Sequence, residues 1–259
     1  MSTTAIVDIV GTARDRVDGR LKVMGAATYP IDVTLPGLAH AALVQSTVTS
    51  GRIRHIAVDA AEQAPGVLAV VTHVNAPTLA RGPMTPLGPS PLPPLQSDAV
   101  MHYGQHVAMV VAETREQAHG AAALIEITYE ADTPVLAPDD PRSSRVTHPW
   151  TPDHVLGDVP RALATADAQV KVTYTTAENT NNPIGLFATV AAWDGDALTV
   201  HDTTQGPHMV RDSLATVFGI DPGGIRVLVP FVGGAFGAGL RFWPHVILAA
   251  LAARITKRR

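Results

Sequence analysis

The stretch Phe231–Arg241, FVGGAFGAGLR, is the densest concentration of chemically suggestive residues in this 259-residue chain. Gly233, Gly234, Gly237 and Gly239 leave the backbone free to take positive φ and to approach a ligand closely. Free amides ahead of a helix suit an anionic or oxo group. The same spacing also suits a loop that only turns the chain tightly. It lacks the Gly-Lys-Ser/Thr ending of a phosphate loop and the G-x-G-x-x-G spacing of a dinucleotide fold. A second signal, Thr203-Thr204-Gln205-Gly206-Pro207, sets a carboxamide donor beside the positive end of a helix dipole, with a plain surface amide as the alternative. Six of the eleven histidines fall in the pairs His102/His106, His148/His154 and His201/His208, without a supporting carboxylate at ligand spacing, so no protein-ligated metal is expected. No G-x-S-x-G nucleophile motif is present.

The composition narrows the setting for that chemistry. Apolar residues make up 46% and charged residues 16%, a core-forming balance that excludes a disordered chain. The net charge of −4 leaves no basic field for nucleic acid. Zero cysteine excludes disulfides, thiolate zinc, thiol catalysis and an iron–sulfur cluster held by this chain. The N-terminus shows no secretory pattern, and the longest apolar run, Val246 to Ala253, is far short of the roughly 20 residues a membrane span needs. A cytoplasmic protein is expected, with periplasmic export on a partner's signal left open.

The positioning elements follow from the periodicity. His40–Ser46, Val67–Thr72 and His106–Ala112 read as buried strands, with one or two helical turns at Asp59–Gln63. Thr114 with Gln117 forms a capping box for a helix reaching about Leu124, and Ile125–Tyr129 alternates as a further strand. Residues 83–94, with six prolines, form either a polyproline surface linker or a stiff wall of a channel or interface. The loop-rich residues 137–157 mark a boundary between domains. Beyond it, Gln169–Thr175 and Ala197–His201 read as strands, the latter following the turn Asp194-Gly195-Asp196. A helix capped by Thr204, with Pro207 in its first turn, runs to about Phe218 and stops at Gly219. Ile225–Pro230 is a strand, and an apolar helix runs from about Trp243 to the end.

Several segments together resemble one family. Residues 22–32 (KVMGAATYPID), 36–46 (PGLAHAALVQS), 65–72 (PGVLAVVT) and 103–112 (YGQHVAMVVA) resemble the α/β hammerhead domain of the molybdenum-binding subunit in the xanthine dehydrogenase and aldehyde oxidase family. Residues 178–193 (ENTNNPIGLFATVAAW), DTTQGPHMVR and VGGAFGAGLR resemble the start of that subunit's molybdopterin-binding region. The resemblance implies an α/β (α+β) fold: a leader over residues 1–18, the hammerhead domain over 19–135, a linker over 136–160 and a partial molybdopterin-binding domain over 161–259. It implies hydroxylation of an aldehyde or N-heterocycle carbon with water-derived oxygen, hydride passing to molybdenum. Gln205 matches the glutamine that donates to an oxygen ligand on molybdenum. Phe236 and Gly237 match the loop that approaches the molybdenum centre and its pterin, with Gly233 and Gly234 shaping it.

Two departures refine this reading. Purine-oxidising members carry Lys-Glu where this chain has Gly239-Leu240-Arg241, which favours a non-purine substrate and makes Arg241 the substrate-channel candidate. Ile184-Gly185-Leu186-Phe187 replaces a Met-Glu-Pro-His-like run, so the polar contacts of that run are not carried over. The implied cofactor is molybdopterin cytosine dinucleotide, and the implied partners are a [2Fe-2S] subunit and an FAD-binding subunit. The family's base glutamate is expected beyond residue 259, supplied by a second chain if the subunit is split, so the chain alone is expected to be inactive. The apolar face of the last helix, Val246, Ile247, Leu248 and Leu251, is expected to lack partners. The hammerhead region is expected to fold by itself and the half after residue 160 to need its continuation. The alternative function is a non-catalytic hammerhead module serving assembly or binding.

Overall fold

The computed structural model describes residues 10–82, 92–144, 154 and 156–258. Residues 83–91 of the proline-rich stretch, and residues 145–153 and 155 of the expected boundary loop, lie outside the described residues. A short helix, α1 (Gly19–Val23), precedes β1 (His40–Gln45), β2 (Gly51–Ala57), α2 (Asp59–Glu62) and β3 (Val67–Thr72). Then come β4 (Ala99–Val100), β5 (His106–Ala112), α3 (Arg115–Ala122) and β6 (Glu126–Ala131). The second half contains α4 (Val159–Ala164), β7 (Thr189–Asp194), β8 (Ala197–Asp202), α5 (Pro207–Phe218), β9 (Ile225–Leu228) and α6 (Pro244–Thr256).

The apolar run HVAMVVA forms β5, the centre of an antiparallel sheet ordered β1-β5-β3. The run is continuous, rather than alternating, because both faces of the strand are covered. Val110 faces Ala61 of α2 and Ala121 of α3, while Met109 and Val111 face Leu248 and Ala252 of α6. The capping box stands as expected at the start of α3: Gln117 N donates to Thr114 Oγ1 at 3.2 Å, and Thr114 N to Gln117 Oε1 at 3.0 Å.

Of a second sheet, ordered β4-β2-β6, the sequence reading contains only β6, as the strand expected over Ile125–Tyr129. Its central strand, GRIRHIA, directs Ile53 inward against Val100 and Val107, while Arg54 pairs with Glu130 on the outer side. The interspersed arginines and histidine diluted its apolar signal, and the strand is recognisable only from its pairing.

The third sheet, ordered β7-β8-β9, places the functional candidates. β7 and β8 form a hairpin through Gly195 and Asp196, and β8 runs parallel to β9 across the α5 crossover. Gly219 closes α5 in the left-handed region at φ 65°, as expected of a glycine just past a helix. The expected strand over Gln169–Thr175 is not formed: residues 165–188 contain no helix or strand, and Val170, Val172 and Tyr174 are exposed. Alternation stabilises a strand only when one face is covered and a neighbour accepts the ladder, and this segment has neither among the described residues.

The expectation of a bare apolar face on α6 is also overturned. Val246, Ile247, Leu248 and Leu251 are all buried. Val246 packs into the core formed by β7, β8, β9 and α5, whereas Leu248 packs under the first sheet. Trp193 of β7 ties the helix down by donating its indole N–H to the Ala250 carbonyl at 2.8 Å, and the Arg254 guanidinium lies 4.9 Å from the Trp193 ring centroid. A helix that is apolar nearly all round is one buried on several sides; α6 is shared between the two halves of the chain.

Candidate functional site

Strand β8 delivers its C-terminal end to the start of α5, where Thr203, Thr204 and Gln205 follow Asp202. The turn does not form as the sequence suggested. The N-cap of α5 is Gly206, with no side-chain cap, and Pro207 opens the helix. Thr204 instead accepts from Gly206 N at 3.0 Å and donates its hydroxyl to the Gly239 carbonyl at 3.1 Å. Gln205 N donates to that same carbonyl at 2.9 Å. Two donors on one oxygen therefore clamp the start of α5 to the glycine loop.

A side chain at Gly239 would crowd this clamp. A Cβ there would lie 3.2 Å from Ala235 Cβ and equally close to Gln205 Cγ and Oε1. The sequence reading counted Gly239 among the loop-formers but gave it no role at the site; only the tertiary contact identifies it.

The loop itself turns on positive φ at Gly233 (72°), Phe236 (49°) and Gly237 (85°). Phe236 is the unusual one, since a bulky residue in the left-handed region is strained. Its ring is 72% exposed, so packing does not hold it there. Asn181, in the irregular segment before β7, donates its side-chain N–H to the Phe236 carbonyl and ties that segment to the loop tip. Gly233 sits beside Tyr29, whose ring contacts Phe231 at 5.8 Å between centroids, with Lys22 lying 5.7 Å from the Phe231 centroid. The first half of the chain thus braces the base of the loop. Beyond Gly237 the chain makes a 3-10 turn over Ala238–Leu240, and Trp243 donates its indole N–H to the Ala238 carbonyl at 2.8 Å. The amides at the tip therefore precede this turn and lie several residues before α6.

Gln205, Gly233, Gly234, Phe236 and Gly237 are all exposed, as is Arg241 just past the turn. Among the described residues, the backbone amides of Gly233, Gly234, Phe236 and Gly237 donate to no protein acceptor. Those amides and the Gln205 carboxamide form a donor-rich surface. Among the described residues no three His, Asp or Glu side chains gather to hold a metal ion. The donor set fits an anionic or oxo-bearing group such as a molybdenum–pterin cofactor, not a naked cation.

One buried ionisable group lies three residues before Gln205, at the end of β8. Asp202 is only 2% exposed. Burial pushes its carboxyl up to about 6, against the opposing pull of the Thr189 hydroxyl and the Thr203 amide. The Thr189 hydroxyl donates to Asp202 Oδ1 at 2.6 Å. The sequence reading missed Asp202 because it occupies an alternating inward position of β8, after Leu198 and Val200, where an aliphatic residue is the ordinary occupant.

Comparison with known proteins gives the family of the chain. Residues 24–133 match the family model for the aldehyde oxidase and xanthine dehydrogenase a/b hammerhead domain, and residues 140–259 match that for the molybdopterin cofactor-binding domain. The chain belongs to the aldehyde oxidase and xanthine dehydrogenase family and corresponds to part of its molybdenum-binding subunits. It is 35% identical over 253 residues to the aldehyde oxidoreductase molybdenum-binding subunit PaoC of Escherichia coli K12, a match covering 96% of this chain and 34% of that protein. It is 29% identical to the nicotine 6-hydroxylase large subunit of Paenarthrobacter nicotinovorans, covering 96% and 32% respectively. The crystal structure of quinoline 2-oxidoreductase from Pseudomonas putida 86 superimposes with a TM-score of 0.81 at 26% identity, over 96% of this chain and 34% of that one. The chain therefore spans about a third of the length of these relatives. Among the described residues no helix is long and apolar enough to cross a membrane.

Proposed function

We propose that this chain forms part of a molybdopterin-dependent oxidoreductase that hydroxylates an aldehyde or N-heterocycle carbon. The observation that carries the reading is the Gly239 carbonyl clamp, which brings the Gln205 carboxamide beside an amide-lined glycine loop. The Gln205 side-chain N–H would be the donor toward the oxo-bearing end of the cofactor. The amides of Gly233, Gly234, Phe236 and Gly237 would hold the anionic and oxo groups of the cofactor, and positive φ at three of these four positions supports a loop that presents its amides. Arg241 orients substrate at the outer end of the loop. When bound, molybdopterin cytosine dinucleotide would supply the two-electron redox chemistry of the hydroxylation, with water as the source of the oxygen. Electrons leave through a [2Fe-2S] subunit and an FAD-binding subunit.

The proposed site residues are donors, and none is a carboxylate able to accept a proton. Because the chain spans about a third of its relatives' length, the proposal assigns the base to the part that corresponds to their other two-thirds and takes the chain alone as inactive. The division into a hammerhead domain over 19–135 and a partial molybdopterin-binding domain over 161–259 belongs to the same proposal. The test is production of the chain with and without a polypeptide corresponding to the other two-thirds of its relatives, in cells that make the cofactor. Molybdenum content and aromatic-aldehyde oxidation are measured in each preparation. Stoichiometric molybdenum and turnover are expected only for the complemented protein. Turnover by the isolated chain refutes its proposed inactivity, and an absence of molybdenum from the complemented protein refutes the cofactor assignment.

A further inference from the structure

Among the described residues six polar side chains are buried: Ser46, Thr72, Asp202, Thr203, Thr204 and Ser213. Three of the six are consecutive, and they lead directly to Gln205. Asp202 and Thr203 bond to the start of β7, and Thr204 bonds to the glycine loop. Asp202 accepts from Thr189, its direct register partner on β7. Thr203 N donates to the Ala188 carbonyl at 3.2 Å, and the Thr203 hydroxyl receives the Ala188 amide at 3.4 Å. Thr204 donates to Gly239 on the loop. A buried polar group costs stability unless it is bonded, and a buried carboxyl without a cationic partner costs more than an aliphatic side chain of similar size. Asp202 meets no cation among the described residues, so its place in an aliphatic row of β8 has no explanation in stability.

We propose that Asp202 is a positioning residue for Gln205. Bonded to Thr189 across the strand pair, it fixes where the chain leaves β8. Thr203 and Thr204 then carry that placement to the Gly239 carbonyl, where Gln205 is held. The proposal rests on the reading that Gln205 faces the cofactor, but the experiment needs neither cofactor nor turnover.

Two indole N–H groups act as built-in reporters. Trp243 bonds to Ala238 in the glycine loop, whereas Trp193 bonds to Ala250 in the core. Proton–nitrogen spectra of the 259-residue chain follow both indoles and the Gln205 carboxamide, assigned through Trp→Phe and Q205A variants. D202A is expected to displace the Trp243 and Gln205 resonances and to leave Trp193 in place. T189V is expected to reproduce the displacement, and D202N, which keeps one acceptor for Thr189, to restore most of it. Unmoved Trp243 and Gln205 resonances in D202A and T189V overturn the proposal, as does a Trp193 displacement equal to that of Trp243. If D202A does not fold, T189V and D202N decide the question on the same resonances. A failure of molybdenum binding in the complemented protein would sink the cofactor reading and leave these displacements untouched.

Discussion

Two buried titratable groups make opposite contributions to stability, and substituting either one exposes the other. Asp202 is pushed from an ordinary 3.8 up to about 6 by burial, while burial and the nearby charge of His106 hold His245 down from 6.5 to about 4. His245 Nε2 is buried with no hydrogen-bond partner among the described residues. An acid with a raised folded pKa binds more protons folded than unfolded. The Asp202 contribution is therefore complete below pH 3.8 and is lost as pH rises through about 6. His245 has a depressed folded pKa, so its contribution is complete above pH 6.5 and is lost as pH falls through about 4. At 1.36 kcal/mol per pKa unit each transition amounts to about 3 kcal/mol. Near pH 5 each group differs by about 0.9 proton between the folded and unfolded states, with opposite sign, and each gives a slope of about 1.2 kcal/mol per pH unit. The two slopes cancel in the wild-type chain. In D202N the cancellation is lost, so this variant gains on wild type by up to about 3 kcal/mol as pH rises from 4 to 6.5. H245L shows the reverse, gaining on wild type as pH falls over the same range. Urea unfolding of the three proteins at half-unit pH steps measures the differences, in which all unchanged groups cancel. Parallel pH profiles for wild type and both variants would refute the reasoning.

Other predictions address the packing. L248A removes a side chain that is 1% exposed and lies under the first sheet from a helix also packed on the third; the expected loss is about 3 kcal/mol, and a loss below about 1 kcal/mol in urea unfolding would show that α6 does not join the two halves. G239A sets a methyl group 3.2 Å from Ala235 and Gln205. It is expected to cost about 1–3 kcal/mol and to speed hydrogen exchange at the Gln205 backbone amide, whose acceptor is the Gly239 carbonyl; unchanged exchange would remove that carbonyl as the clamp.

Local signals carried the parts of the structure that depend on neighbours in sequence. The capping box at Thr114 and Gln117, the glycine stop at Gly219, the valine-rich β5 and the glycine loop were all legible, because each is set by backbone preference or an uninterrupted apolar run. The family resemblance was legible too, through motifs in order, and the matches over residues 24–133 and 140–259 agree with it. Signals that needed a distant partner misled. Gln169–Thr175 alternates but finds no covering face, and Gly51–Ala57 hides a central strand behind charged residues.

The sequence by itself determined which residues could turn the backbone and present amides: Gly233, Gly234 and Gly237, with Gln205 as a carboxamide at a helix start. Only the tertiary structure decided how they meet. It brought the Gly239 carbonyl between Thr204 and Gln205, bonded Asn181 to Phe236, and buried Asp202 at the end of β8, three residues before Gln205. It also covered α6, whose apolar face looked unpartnered in sequence. The physical reason is the same each time: a hydrogen-bond donor, an apolar face or a carboxyl has its energy set by what lies against it, and those neighbours come from far along the chain.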